Sequence, residues 1–569
     1  MDQATQKRID FWLEKSFDDA TKEEIRRLQK SDQEALVDAF YTTLSFGTGG
    51  MRGLMGPGTN RMNVYTVRWA TQGLANYLKK VGSGKSDLSC AIGYDSRHNS
   101  KLFAEEAARV LAGNGIKVFL FSEIRPTPLV SFACRYHTCS AAIMVTASHN
   151  PPQYNGYKVY WDDGAQVLPP HDVGIIKEVE ALNDPDQVRL APVTSPMIER
   201  MGKEVDDAYL AAITPLQLWP DATDGASLSI LYSSLHGTGI TMVPQALQRF
   251  GFTNVQFVDK QVIPDGDFPT CKKPNPEERQ ALSLGIKKML EEECDIFIAT
   301  DPDCDRLGVV VLHDGKDVAF NGNQILSLAA EYVCKAFSPM PKKPAFVKTI
   351  VTTELFRHIV EAHNGTCFDV LTGFKYIAEK IRTWEASSAY SYVFGGEESY
   401  GCLLGTVVRD KDAVIASCLL AEIALYAKRQ NKTLVDLLND IYTRYGVFVE
   451  HLISLDYEET KEGKDAMQKT MQRFRQNCPT KILDISVVKC TDLLTATDLP
   501  KADVLILELD DKSRIVIRPS GTEPRIKIYI LTHEKPDLIQ SIGLEKVKEK
   551  AEGKAKALAA EFATNEAHG

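Results

Sequence analysis

The feature that most constrains this chain is an alternation that recurs up to about residue 445. Short apolar runs end in polar or glycine-rich loops and give way to segments with helical spacing. Ser89 to Asp95 reads as a buried strand running into a loop, and residues 101–114 place Leu102, Ala107, Val110 and Leu111 at helical spacing. Lys117 to Phe121 is a strand again, and Ser140 to Thr146 is another that exits into a polar loop. The plan returns at Leu228 to Ser233, Asp295 to Thr300, Ala345 to Val351 and Ser391 to Phe394. Strands alternating with helices predict α/β layers around a mainly parallel sheet. Beyond residue 445 the texture changes. Val504 to Leu509, Ser513 to Ile517 and Ile526 to Leu531 are short strands separated by turn residues, and a Lys/Glu/Ala-rich helix follows over 544–562. That pattern predicts a smaller α+β domain. The first 40 or so residues read as two amphipathic helices, with Thr21 and Glu24 forming a capping box ahead of Ile25 and Leu28. At about 150 residues per domain the length suggests roughly four, and the pattern along the chain puts the divisions at 1–205, 206–320, 321–445 and 446–569.

Charge narrows the function classes. The net charge is −10, so the chain has no global field for nucleic acid or anionic lipid, and any anion it handles must meet local positive charge. No apolar run spans a bilayer; the longest, Ala413 to Ala427, contains Glu422 and reads as a buried helix. The first residues, with scattered charges and no apolar centre, do not resemble a secretory signal. Twelve cysteines without a Cys-x-x-Cys pair predict reduced thiols in the cytoplasm. Nucleotide-binding signatures fail. Gly84-Lys85-Ser86 lacks the earlier glycine of a P-loop, and Gly47-Thr48-Gly49 and Gly237-Thr238-Gly239 lack the third glycine of a dinucleotide fingerprint.

Five constellations carry chemistry. Thr146-Ala147-Ser148-His149-Asn150-Pro151 leaves an apolar strand, where α/β proteins build sites. Pro151 and Pro152 keep the loop extended, so Ser148 is expected to face solvent, with His149 beside it as a donor to an oxyanion or phosphate. Asp301, Asp303 and Asp305 open like a calcium loop, but Arg306 and Leu312 stand where that loop needs glycine and glutamate. Three carboxylates so close repel one another without a cation, and hard oxygen ligands suit Mg²⁺; Arg306 can support a phosphate oxygen. Gly395-Gly396-Glu397-Glu398-Ser399-Tyr400-Gly401 sets carboxylates between glycine bends, suited to sugar hydroxyls or to a plain acidic turn. Arg518-Pro519-Ser520-Gly521-Thr522-Glu523-Pro524-Arg525 has the makings of a phosphate cradle. Arg52, Lys158 and Lys375 are single cations in glycine-containing contexts.

Taken together and in this order, the five resemble the α-D-phosphohexomutase family of phosphoglucomutases and phosphomannomutases, in the branch that includes phosphopentomutase-like enzymes. The resemblance runs from Gly47 to Arg525. It implies four domains around a central cleft: three similar mixed α/β domains and a C-terminal TATA-binding-protein-like α+β domain. It implies that Ser148 carries a phosphoryl group and that Mg²⁺ sits on Asp301, Asp303 and Asp305 with a Ser148 phosphate oxygen. It assigns Glu397 and Ser399 to sugar hydroxyls, and Arg518, Ser520, Gly521 and Thr522, with Arg525 near, to the distal phosphate. Arg52, His149, Lys158 and Lys375 fall on positions for charge stabilisation and proton transfer. Cys304 and Gly49 depart mildly from the family pattern. The implied reaction interconverts sugar 1-phosphate and 6-phosphate through a bisphosphate, with glucose 1,6-bisphosphate as activator and small sugar phosphates as partners. A phosphopentomutase or bisphosphate synthase of the same family, a metal-dependent serine phosphatase and a silent sugar-phosphate-binding protein stay open, as do the preferred sugar, the proton-accepting residue and the oligomeric state.

Overall fold

The computed structural model describes the chain apart from residues 45–49, 83–86, 183, 220–223, 459, 496–498, 521–524 and 568–569. Its residues fall into two compact units, Met1–Val310 with Thr406–Ala421, and Val311–Gly405 with Glu422–Gly569. The Gly47-Thr48-Gly49 and Gly84-Lys85-Ser86 segments lie outside the described residues.

The first unit opens on three helices, Gln3–Glu14, Asp19–Ser31 and Gln33–Phe40, where the sequence pattern suggests two. The break falls at Asp32. Its N–H still donates to the carbonyl of Leu28, while its carboxylate accepts from the Ala35 N–H at 2.9 Å and starts a new helix. The expected capping box at Thr21 is displaced as well. Asp18 caps the second helix by accepting from the Thr21 N–H at 2.8 Å, so Thr21 sits inside the first turn. Trp12 holds the three helices together. It is fully buried, stacks on Phe17 at 4.3 Å and meets the edges of Phe40 and Tyr65 at 5.6 Å each. Trp12→Ala is expected to cost about 3–5 kcal/mol through lost transfer energy and a residual cavity. Chemical denaturation of the variant, read against wild type, checks this figure.

The first sheet contains β1 (Gly50–Leu54), β2 (Ser89–Tyr94), β3 (Lys117–Phe121), β4 (Ala141–Val145), β5 (Tyr154–Trp161) and β6 (Ile198–Met201), in the order β1-β5-β4-β2-β3-β6. The strands β4, β2, β3 and β6 run parallel, and β5 is antiparallel to both β4 and β1. The sheet is thus mixed. Residues 146–153 join β4 to β5 and are fewer than the dozen or so a parallel crossover needs. The second sheet contributes β7 (Ile230–Ser233), β8 (Val255–Phe257), β9 (Ile296–Thr300) and β10 (Leu307–His313) to the order β10-β9-β7-β8, with β7 parallel to β8 and β9. Strand β11 (Lys316–Phe320) follows β10 in the chain.

In the second unit, β12 (Pro344–Thr349), β13 (Thr366–Val370), β14 (Ser391–Glu397) and β15 (Gly401–Leu404) are ordered β13-β12-β14-β15. The strand β12 is parallel to β13 and β14, and β14–β15 is an antiparallel hairpin. The last sheet is antiparallel throughout: β16 (Val447–Asp456), β17 (Lys481–Ile482), β18 (Ile485–Asp492), β19 (Leu505–Leu509), β20 (Arg514–Pro519) and β21 (Arg525–Glu534), in the order β16-β21-β20-β19-β18-β17. Successive residues of β21 face opposite sides, as the period of a strand requires. Ile526, Ile528 and Ile530 pack with Leu558 and Phe562 of the C-terminal helix, while Tyr529 and Leu531 pack with Ile350 and Val351.

The apolar run from Ala413 is a buried helix, Ala413–Lys428, and Glu422 inside it accepts a hydrogen bond from the Tyr332 hydroxyl at 2.9 Å. No helix among the described residues is long and apolar enough to cross a membrane. The expectation of uniformly reduced thiols is corrected at one place. The segment after helix Lys461–Gln476 brings Cys478 beside Cys490 of β18, and the two are joined as a disulfide.

Candidate active site

In the first unit the serine loop and the acidic loop converge. The Ser148 hydroxyl donates to Asp301 Oδ2 at 2.8 Å and lies 3.2 Å from His149 Nδ1. The loop is built by local bonds. Thr146 Oγ1 donates to Asp95 Oδ2 at 2.6 Å and accepts from the Ser148 N–H at 2.8 Å. Ser148 itself adopts φ +51°, in the left-handed region. That turn swings its side chain inward, so Ser148 is only 2% exposed rather than facing solvent as the proline pair suggests. Gly156 on β5 lies under the loop; a Cβ there would meet the Thr146 carbonyl oxygen at 2.4 Å, so only glycine fits.

Asp301, Asp303 and Asp305 follow β9 and are all buried, with one oxygen from each lying within 4.8 Å of the others. Asp301 Oδ1 accepts from the N–H groups of Asp305 and Arg306 at 3.1 and 3.0 Å, which folds the loop back on itself. Cys304 turns the loop at φ +54°, a conformation in which glycine is at ease. Burial, then the charges of Asp303 and Asp305, push the Asp301 carboxyl well above its ordinary range. Burial also opposes ionisation of Asp303, but Lys158 and Thr127 outweigh it and hold that carboxyl low. The Lys158 ammonium lies 2.7 Å from Asp303 Oδ2 and 3.3 Å from Asp305 Oδ2, and Thr127 Oγ1 donates to Asp303 Oδ2 at 2.7 Å. Burial lowers the pKa of Lys158, yet the two carboxylates reverse this and leave it raised, against the lowering expected for a proton acceptor among cations.

The donor set fits a divalent ion. Asp303 Oδ1 and Asp305 Oδ1 are buried and have no hydrogen-bond partner among the described residues. Buried carboxylate oxygens of this kind require a ligand to offset their desolvation.

The remaining cations are placed as follows. Arg52 on β1 donates to Asn150 Oδ1 of the serine loop at 3.1 Å. Arg306 pairs with Glu277 at 2.9 Å. His149 is held neutral, its pKa lowered by burial and then by Arg306 and Arg52. Sequence reasoning misses Lys411, whose ammonium lies 3.1 Å from both Asp305 Oδ2 and Asp410 Oδ1. The available signal was the charged run Arg409-Asp410-Lys411-Asp412 directly before a buried helix, where unpartnered charges are costly.

The second unit carries the other residues. Glu397 ends β14, is buried and accepts from the Gly373 N–H at 2.8 Å. Two residues on, at the start of helix Phe374–Ser387, Lys375 is buried with its ammonium 5.3 Å from the Tyr376 ring centroid. Glu398 accepts from the hydroxyls of Thr349 and Thr352 at 3.1 and 3.2 Å, and Ser399 lies half-buried in the β14–β15 turn. Arg518 on β20 donates to the Tyr529 hydroxyl at 3.4 Å, a neighbour the sequence does not reveal. The Ser520 N–H donates to the Arg525 carbonyl at 2.8 Å, and Arg525 pairs with Asp456 at 3.1 Å. Gly521 and Thr522 lie outside the described residues.

Comparison with known proteins agrees with this fold. Residues 43–186, 207–315 and 321–445 match the family descriptions of α/β/α domains I, II and III of phosphoglucomutase/phosphomannomutase. The chain is 36% identical over 508 residues to a phosphoglucomutase of Staphylococcus haemolyticus, covering 86% of this chain and 90% of the relative. A Staphylococcus aureus phosphoglucomutase is 35% identical over 537 residues, covering 92% and 95%. A phosphoglucomutase/phosphomannomutase family protein of Burkholderia thailandensis superposes with a TM-score of 0.66 at 19% identity, covering 90% of this chain and 97% of that one. The Paramecium phosphoglucomutase parafusin, in an open form, gives 0.66 at 17%, covering 90% and 96%. At such identities the structural likeness is one of fold. The chain belongs to the phosphoglucomutase/phosphomannomutase family. Phosphoglucomutases are isomerases, and this chain is an enzyme of that class.

Proposed function

We propose that this enzyme is an intramolecular phosphotransferase that interconverts sugar 1-phosphate and sugar 6-phosphate, glucose or mannose, through a phosphoserine at Ser148 and a bisphosphate intermediate. The observation that carries the reading is the 2.8 Å contact between the Ser148 hydroxyl and a buried trio of carboxylates. Asp301, Asp303 and Asp305 would hold Mg²⁺, which neutralises charge on a transferring phosphoryl group. Phosphoryl transfer asks mainly for positioning and charge neutralisation, and the residues sort accordingly. Arg518, Ser520, Gly521, Thr522 and Arg525 bind the phosphate that is not reacting. Glu397 and Ser399 accept from and orient the sugar hydroxyls. Arg52 stabilises phosphoryl oxygens, His149 adds a hydrogen bond there, and Arg306 supports the acidic loop. Lys158 and Lys375 are the two lysines at positions for receiving the proton of the attacking hydroxyl; Asp303 and Asp305 hold Lys158 protonated, which favours Lys375. The bisphosphate product returns its other phosphoryl group to Ser148 after turning end for end, so glucose 1,6-bisphosphate acts as activator. Domain divisions at 205, 320 and 445 belong to this reading. So does a cytoplasmic setting, which the buried thiols Cys90, Cys134 and Cys139 favour.

A panel of sugar 1-phosphates supplied with Mg²⁺ and glucose 1,6-bisphosphate tests the proposal. Glucose 1-phosphate or mannose 1-phosphate is expected to yield the 6-phosphate, with little conversion when the bisphosphate is withheld. Preferential formation of a pentose 5-phosphate would shift the assignment to a phosphopentomutase. Accumulation of bisphosphate from a phosphoryl donor would point to a synthase. Net release of inorganic phosphate without isomerisation would replace the mutase with a phosphatase.

A further inference from the structure

A second tether joins the acidic loop to the serine loop, and it runs through residues to which no role has been assigned. Its first link is the loop after β7. Thr238 donates from its N–H and its hydroxyl to the Pro302 carbonyl at 2.7 and 2.9 Å, inside the Asp301–Asp305 segment. Gly237 lies so close to Pro302 that a Cβ would meet its Cα at 2.2 Å. The next link is His236, which is buried and bonds the Ile263 carbonyl at 3.0 Å and the Thr270 hydroxyl at 2.8 Å, gripping both ends of loop 263–270.

That loop presents Phe268. The residue adopts φ +46°, an uncommon conformation for a bulky side chain, and it is 1% exposed. Strain of this kind persists only where the surroundings impose it. Here the ring lies against the Arg97 guanidinium, 4.8 Å from centroid to Cζ, a cation–π distance. Gly266 seats the same loop on the backbone of residues 96–98; a Cβ there would meet the His98 nitrogen at 2.6 Å.

Arg97 is the last link. It is buried, and its guanidinium donates to the carbonyls of Ser148 at 2.5 Å, Pro151 at 2.8 Å and Tyr154 at 3.1 Å, and to that of Asn150. One planar fork therefore fixes three backbone carbonyls of the loop that carries the serine and that of the first residue of β5.

We infer that Phe268 and Arg97 are positioning residues, a clamp from the loop after β8 that holds the serine loop in register with the acidic loop. The inference rests on the phosphoserine reading above. Transfer at a serine oxygen tolerates little misplacement, and an error of about 1 Å can cost 100-fold in rate.

The test uses the full chain with Mg²⁺, glucose 1-phosphate and glucose 1,6-bisphosphate, and follows kcat, KM, the rate of Ser148 labelling from radiolabelled bisphosphate, and Tm. Phe268→Leu, Arg97→Lys and Gly266→Ala are each expected to lower kcat roughly 10- to 100-fold, to slow labelling by the same factor and to leave KM within about twofold. Gly266→Ala lifts the loop without opening the core, so the test survives if Phe268→Leu folds poorly. The double variant Phe268→Leu/Arg97→Lys is expected to lose less than the product of the single losses, because the pair acts as a unit. Folded variants with wild-type kcat and labelling rates would overturn the inference alone, as would KM rising while kcat stays fixed. A wild-type enzyme that is never labelled at Ser148 would overturn the phosphoserine reading and this inference together.

Discussion

Replacing Ser148 with alanine is expected to reduce isomerisation by roughly 10⁴-fold or more, because the other hydroxyl of the serine loop, Thr146 Oγ1, is engaged with Asp95 and the residue-148 N–H rather than with the aspartate trio. The fold should survive. The hydroxyl makes one bond to Asp301 and one to His149, and loss of such bonds costs about 0.5–1.5 kcal/mol each. The decisive measurement pairs steady-state turnover with mass spectrometry after incubation with glucose 1,6-bisphosphate. Wild type should gain one phosphate at residue 148 and the variant none. A variant that still turns over, or that gains phosphate elsewhere at the wild-type rate, would remove Ser148 from the mechanism.

The second large effect is expected at Asp303. Asp303→Asn keeps an acceptor for the Thr127 hydroxyl, which donates to Oδ2 at 2.7 Å, but removes one negative charge from the trio. A single charge pair at about 4 Å is worth about 4 kcal/mol at an effective dielectric of about 20. Part of that is offset by desolvation, so a fall of roughly 100-fold or more in Mg²⁺ affinity is expected. Titrating Mg²⁺ into wild type and variant, by calorimetry and by the rise of Tm with ion concentration, reads affinity separately from turnover. An unchanged Mg²⁺ midpoint in a folded variant would show that the ion is bound elsewhere. Lys158 and Lys411 already lie on the Oδ2 atoms of Asp303 and Asp305, which leaves the two Oδ1 atoms for an ion.

The sequence made the strand exits legible because burial writes itself into composition. Ala141–Val145 and Ile296–Thr300 are apolar without exception up to the threonine that ends the second, and the serine and acidic loops follow directly. The antiparallel course of β5 was harder to see, since strand direction depends on the length of a connection whose ends must first be known. In the last sheet, β16 and β18 carry a weaker signal because Glu450, His451, Ser454, Ser486 and Lys489 dilute their apolar pattern. The inward turn of Ser148 was invisible for a different reason. It follows from a positive φ, which no residue type at that position announces. Lys411 lies far along the chain from Asp305, a pairing that a single sequence does not encode, and Tyr529 meets Arg518 across the β20–β21 pair, where the register has to be known first.

The stretch Thr406–Ala421 belongs with the first unit although 95 residues of the second precede it in the chain. Tyr209 donates to the Asp412 carboxylate at 3.0 and 2.8 Å, and Tyr160 to Asp410 at 3.0 Å. A gene fragment ending at codon 310 would therefore encode the serine and all three aspartates yet leave two buried phenols without their acceptors and Asp305 without its Lys411 neighbour. Residues 1–310 taken as one contiguous piece therefore do not carry the first unit whole, and laboratory dissection of the enzyme would have to splice residues 406–421 back in.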